Sequence, residues 1–131
     1  MTTILDAIKQ DYQRFPHHQT YSLYAPDVVF KDPMTQFQGL QRYQQMISWM
    51  ARWFLDIHLA LHEIRQTDDR IETRWTLSWT SPLPWKPRIT ISGRSELCLN
   101  ADNLIVSHTD YWDCTRWAVL QQHFPWFAPS A

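Results

Sequence analysis

Between about residue 55 and residue 113 the apolar residues recur every second position, and that period decides most of what the chain can fold into. Residues 70–80 set Ile71, Thr73, Trp75, Leu77 and Trp79 on one side against Glu72, Arg74, Thr76, Ser78 and Thr80. Residues 88–99 place Ile89, Ile91, Gly93, Ser95, Leu97 and Leu99 against Arg88, Thr90, Ser92, Arg94, Glu96 and Cys98. Residues 104–113 place Leu104, Val106, His108, Asp110 and Trp112 against Ile105, Ser107, Thr109, Tyr111 and Asp113. Such alternation marks antiparallel strands with one buried face. Thr67-Asp68-Asp69-Arg70 and Asn100-Ala101-Asp102-Asn103 are tight-turn sequences. Pro82-Leu83-Pro84-Trp85-Lys86-Pro87 has no place in a central strand.

Upstream the period is helical. Thr3 with Asp6 makes a capping box, Leu5, Ile8, Tyr12 and Phe15 share one face, and Pro16 ends the run. A short helix is expected from about Gln19 to Tyr24, then a brief strand over 28–31 closed by Asp32-Pro33. Gly39 precedes the longest helix, whose apolar face carries Leu40, Tyr43, Met46, Ile47, Met50 and Phe54. A last helix runs from Thr115 to His123, before Pro125 and an apolar tail, Trp126 and Phe127, expected to pack down. Helices followed by a meander make an α+β fold, one domain over 1–131. Its curved antiparallel sheet wraps around the N-terminal helices as a cone, and the open end of the cone is a pocket.

Charge and cysteine content narrow the partners. With 12 Lys+Arg against 13 Asp+Glu the chain lacks the basic surplus that nucleic-acid binding uses. No apolar run is long enough to span a membrane. The start of the chain has no signal-peptide pattern, and Cys98 and Cys114 read as reduced thiols, so the expected location is cytoplasmic. No Gly-rich phosphate loop is present, and the pattern calls for no cofactor. His58 and His62 share a metal only on a helix; on a strand they stand about 13 Å apart. A two-residue turn at Asp68-Asp69 points both inward, and a three-residue turn exposes them. No metal site is expected.

Strand parity then reads out the pocket. A simple hairpin at 100–103 pairs Leu99 with Leu104, Leu97 with Val106, Ser95 with His108 and Gly93 with Asp110. On the preceding hairpin one register sets Trp75 opposite Ser95 and Trp79 opposite Ile91. Trp75, Ser95, His108 and Asp110 then form a polar patch in an apolar wall, the signature of a small-molecule site. Gly93 leaves room beside Asp110 for a ligand or water. Structural readings stand beside these: His108 and Asp110 as a core-supporting pair, Asp32 as a turn carboxylate, Tyr12 and the tryptophans as core.

Ala25-Pro26-Asp27-Val28-Val29-Phe30-Lys31-Asp32-Pro33, the helix after Gly39 and Ser107-His108-Thr109-Asp110-Tyr111-Trp112-Asp113 resemble the nuclear transport factor 2-like superfamily. Through Phe15-Pro16, Gln19-Thr20-Tyr21-Ser22, Phe30-Lys31-Asp32-Pro33, the Pro82–Ile89 segment, Ser95-Glu96-Leu97 and Asp110-Tyr111-Trp112, the chain resembles an uncharacterised family of cyanobacteria and plants. The resemblance implies an α+β cone, often a homodimer packed through the outer face of its sheet. Asp32-Pro33 is similar to the step that carries the proton-shuttling base of ketosteroid isomerases, and Tyr12 is similar in position to their oxyanion-binding tyrosine. Their second oxyanion donor, a protonated aspartate, falls at Ser95, a weaker donor. In SnoaL-like polyketide cyclases an aspartate of the last strand does acid/base work; Asp110 is similar to it, and His108 is placed to tune it. Plant relatives fused to a haem-binding domain imply a flat apolar ligand, stacked on Trp75, Trp79 and Trp112. A small-molecule binder, an isomerase or cyclase, and a dimeric scaffold with a filled cone are the three functions this pattern admits.

Overall fold

In the computed structural model, residues 3–124 and 126 are described. Thr3 caps α1 (Ile4–Arg14), its side chain accepting from the Asp6 N–H while Asp6 reaches back to the Thr3 N–H. A single 3₁₀ turn, Tyr21–Leu23, leads into β1 (Tyr24–Lys31). The expected second helix shrinks to that turn because Pro26 disfavours a helical Ala25, and the strand starts at Tyr24 rather than Val28. A short β2 (Gln36–Gln38), unmarked by any alternation, pairs back on β1. Gly39 follows at φ +114°, a conformation that favours glycine, and turns the chain into α2 (Leu40–Trp53). Then come β3 (Leu55–Thr67), β4 (Arg70–Thr80), β5 (Arg88–Leu99), β6 (Ile105–Trp112) and α3 (Arg116–His123, capped by Thr115).

The six strands form one curved, open sheet in the order β2-β1-β6-β5-β4-β3. All neighbours are antiparallel except β1 and β6, which run parallel. The sheet wraps the helices as a nuclear transport factor 2-like cone. Ile8 of α1 meets Val28, Ile71, Leu97, Leu99 and Ile105 in the closed end. Tyr43 and Ile47 of α2 pack on Phe30, and Val119 of α3 packs on Trp75, Trp79, Ile89 and Ile91. Beyond Gly93 strand β5 outruns β6, and there the Gln122 side chain takes both backbone groups of Thr90, at 2.7 and 2.9 Å. That contact covers an otherwise open strand edge.

The faces agree with the alternation, but three registers differ from the simplest hairpins. The 100–103 turn pairs Leu99 with Ile105, and Val106 is then an extra residue, so that Cys98 meets Ser107. Past this bulge Leu97 faces His108, Ser95 faces Asp110 and Gly93 faces Trp112. The two one-residue offsets cancel for His108, Asp110 and Trp112, which keep their inward side. Ile105, not Leu104 or Val106, takes the core position, with 0% exposure. Between β4 and β5, Trp75 lies opposite Gly93 and Trp79 opposite Ile89. An even offset preserves the faces, so parity alone did not separate this register from the expected one.

The third difference concerns the histidines. Asp68-Asp69 is a two-residue turn, with Thr67 paired to Arg70, which on its own points His58 and His62 inward. A bulge at His62 resets the parity: Ile64 faces Thr73, but Leu61 faces Trp75 and Leu59 faces Leu77. Both histidines are exposed, His62 against Thr76 Oγ1 at 2.7 Å. Among the described residues no cluster of His, Cys, Asp or Glu could hold a metal, and no helix is long and apolar enough to cross a membrane. Trp126, more than half exposed, sets its ring 5.0 Å from Trp85 and 5.9 Å from Phe124. Pro125, Phe127 and the rest of the tail lie outside the described residues.

Gly93 is a tight point of the sheet. A Cβ there would run into the Tyr111 carbonyl oxygen and lie 3.1 Å from the Trp75 ring. A backbone atom in a paired strand yields little, so Gly93→Ala is expected to cost about 2–3 kcal/mol in denaturant unfolding. An alanine variant as stable as the parent would refute this packing.

Candidate functional site

The concave face of β4, β5 and β6 carries one continuous line of buried hydrogen bonds. Trp75 Nε1 donates to Ser95 Oγ at 2.8 Å, and Ser95 Oγ donates to Asp110 Oδ1 at 2.5 Å. His108 Nε2 meets the same Oδ1 at 2.8 Å. Because the indole can only donate, the serine hydrogen is left for the carboxylate. A carboxylate only accepts, so Nε2 is the donor to it, and in the neutral imidazole Nδ1 then carries the lone pair. The Tyr12 hydroxyl joins the line through Thr73 Oγ1 at 2.8 Å, and Thr73 is the strand partner of Ser95. Burial pushes the Tyr12 pKa up to about 12 against the Thr73 bond, so the phenol is protonated at neutral pH.

The parallel pair adds the second carboxyl. Phe30 is level with His108 and Lys31 with Thr109, so Asp32, one step on, stands beside Asp110. Its Oδ1 accepts the backbone N–H groups of Met34 and Thr35 at 2.8 and 2.7 Å, the Asx turn that its position before proline favours. Burial raises the Asp32 pKa, those two N–H bonds lower it, Asp110 raises it and His108 lowers it; the net shift is upward. Tyr24 and Tyr43 bond hydroxyl to hydroxyl at 3.3 Å, and burial lifts both above the ordinary phenol range.

These groups, except Thr73, line one cavity of about 620 Å³. The predicted residues Tyr12, Asp32, Trp75, Trp79, Ser95, His108, Asp110 and Trp112 all border it. Gly93 does not. The room it creates is taken by the Trp75 indole lying against it, which corrects the expected space for ligand or water. The tryptophans therefore form walls without filling the cone. Phe54 lies flat on Trp79, centroids 4.4 Å apart and planes within 3°. Trp79 Nε1 and His108 Nδ1 are buried with no hydrogen-bond partner among the described residues.

Sequence reasoning missed Thr73, Tyr24 and Tyr43 as site residues. Thr73 sits in an apolar-face position, Tyr43 on the apolar face of the long helix and Tyr24 at the end of the expected short helix, so only three-dimensional convergence distinguishes them. It also missed the rim, where Met34, Trp49 and Trp53 border the cavity while remaining 66%, 55% and 46% exposed. Trp49 and Trp53, one helical turn apart on the polar side of α2, were a legible signal.

With this geometry in view, comparison with known proteins places the chain. Residues 2–108 match the family model described as "Uncharacterized conserved protein (DUF2358)". The chain belongs to this family. No curated protein matches it. A nuclear transport factor 2-like protein of unknown function from Exiguobacterium sp. 255-15 is 22% identical, covering 86% of this chain and 100% of its own at a TM-score of 0.70. A hypothetical protein with a ketosteroid isomerase-like fold from Catenulispora acidiphila, solved with trimethylamine, is 14% identical at a TM-score of 0.73. It covers 96% of this chain and 97% of its own. An LEH-like epoxide hydrolase of M. tuberculosis is 16% identical at a TM-score of 0.69, covering 96% of this chain and 93% of its own. Identities this low establish the fold, and this fold carries unrelated chemistries.

Two measurements test the site's energetics. Ser95→Ala strands the Trp75 N–H and removes a donor from Asp110, so unfolding should show a loss of about 1–3 kcal/mol. Asp32 binds its proton more tightly folded than unfolded, so stability falls as pH rises from the ordinary carboxylate value through the raised one. Asparagine keeps the Asx-turn oxygen and never ionises. Asp32→Asn is therefore expected to be more stable than the parent at pH 7, with the difference vanishing by about pH 3. A variant less stable than the parent at pH 7 contradicts this.

Proposed function

We propose that this protein binds an apolar or aromatic small molecule within the cone. The observation that carries this reading is the cavity itself, whose apolar walls enclose the Ser95–Asp110–His108 line. Sites for small molecules have this composition, mostly apolar with a few convergent polar groups. Trp75, Trp79 and Trp112 supply the flat walls, and Asp32, Asp110 and His108 supply the polar end. The exposed Met34, Trp49 and Trp53 give the ligand an apolar approach.

A second reading, proton-transfer catalysis of the isomerase or cyclase kind, is favoured by Asp32. A carboxyl raised by burial and set beside a second carboxyl suits a general base or acid nearer neutrality. Tyr12, protonated and close to Ser95, then stabilises a developing oxyanion. A non-catalytic scaffold is the remaining alternative and is weakened by the open cavity. The same reading takes the protein as a cytoplasmic homodimer packed through the outer face of the sheet. There Tyr111 is exposed, with the Arg94 guanidinium 4.1 Å from its ring centroid.

The neutral fluorophore N-phenyl-1-naphthylamine, which brightens in apolar surroundings, tests the binding reading. One molecule is expected to bind per chain, quenching tryptophan emission. Met50→Trp, which narrows the cavity from α2, is expected to weaken binding at least about tenfold, roughly 1.4 kcal/mol. No binding to the parent, or equal binding to both proteins, defeats the reading.

A further inference from the structure

Charge in the cavity wall has one sign. Its acidic members are Asp11, Asp32 and Asp110, and the described residues that line it include two histidines but neither Lys nor Arg. Asp11 is accounted for: Arg14 lies 3.3 Å away, and Thr20 donates from both its backbone N–H, at 3.0 Å, and its hydroxyl, at 2.7 Å. Asp32 and Asp110 have no such cation among the described residues. The His108 imidazole, 2.8 Å from Asp110, is one basic group set against two carboxyls.

The hydrogen-bond inventory has the same bias. Every bond to Asp32 and to Asp110 falls on Oδ1, and among the described residues neither Oδ2 receives one. His108, with nine-tenths of its side chain buried, holds Nε2 on Asp110, and its Nδ1, like Trp79 Nε1, meets no hydrogen-bond partner among the described residues. The tyrosine hydroxyls spend one hydrogen of each pair, Tyr24 with Tyr43 and Tyr12 with Thr73, and all of them are neutral donors. Phe30 and Tyr43 set their rings 5.2 and 5.8 Å from His108, so aromatic faces flank these acceptors. Acceptors, negative charge and aromatic faces together select a cation, which gains charge-assisted hydrogen bonds and ring attraction at once. A carboxylate or phosphate meets the like charge of Asp32 and Asp110 there, with neutral donors such as the Trp79 N–H, and no Lys or Arg among the described lining residues, to offset it.

We infer that the cavity takes an organic cation, an amine on an apolar or aromatic body, with its nitrogen seated between Asp32 and Asp110. This rests on the small-molecule reading above and adds the charge of the ligand. Three probes with one skeleton separate the two: 3-phenylpropylamine, 3-phenylpropan-1-ol and 3-phenylpropanoate. Each is titrated against N-phenyl-1-naphthylamine bound to the full chain at pH 7.5.

The amine is expected to bind about tenfold tighter than the alcohol, and the carboxylate weakest of the three. In the Asp32→Asn, Asp110→Asn double variant the amine should lose that advantage while the alcohol keeps its affinity. An alcohol that matches the amine, or a carboxylate that beats it, overturns the inference and leaves the small-molecule reading standing. A fluorophore that none of the three displaces overturns it too. A fluorophore that never binds defeats both. If the double variant does not fold, the ranking on the parent protein decides alone.

Discussion

The line of hydrogen bonds from Trp75 through Ser95 to Asp110 and His108 is the constraint on which the interior of this protein depends. It ties β4, β5 and β6 together on their concave side, where water is scarce and an unmatched polar group is costly. Each member also fixes a neighbour. The indole must lie low enough to reach Ser95, and it can do so because Gly93 opposite it has no side chain. The carboxylate, held on one oxygen by two donors, has its other oxygen unclaimed by any described residue. The imidazole, held at Nε2, has a defined tautomer whenever Asp110 is ionised.

Around that line the fold separates roles by position. Aliphatic residues close the narrow end, aromatic residues make the walls, and the carboxyls sit where β1 runs beside β6. Burying Asp32 without a cation works against folding, and its raised pKa expresses that cost. Charge retained against stability in this way is what a binding or proton-transfer site requires. The nuclear transport factor 2-like fold supplies the frame, and the acids and aromatics are distributed within it.

Most of the architecture was legible because binary patterning is local. The limits of β4 and β5, the capping box of α1, the long helix after Gly39 and the inward faces of β4 and β5 all follow from residue order. Registers were not legible where a bulge intervened. Val106 and His62 are each one extra residue in a strand, and nothing in their side chains announces it. Pairing in a sheet is fixed by packing across strands, and Trp75 settles opposite Gly93 because the glycine accommodates it. Ser95, His108 and Asp110 were found by parity, and Tyr12 by helical spacing together with the family resemblance. Thr73, Tyr24 and Tyr43 were not, since a threonine on an apolar face and a tyrosine in a core resemble ordinary packing until their hydroxyls are seen to meet.

The parallel pairing of β1 with β6 has a consequence for how the protein is made. Lys31 pairs with Thr109, so the strand that presents Asp32 joins its partner only after the chain has been synthesised past residue 109. Contacts between segments so distant in sequence close a long loop, and their entropic cost makes them slow to form. The β3–β6 meander can assemble from neighbouring hairpins without β1, and it carries Ser95, His108 and Asp110 with it. The two carboxyls come together only when the first strand docks on the last. A nascent or truncated chain thus holds half of the polar cluster, and the complete acidic end of the cavity is a property of the finished fold alone.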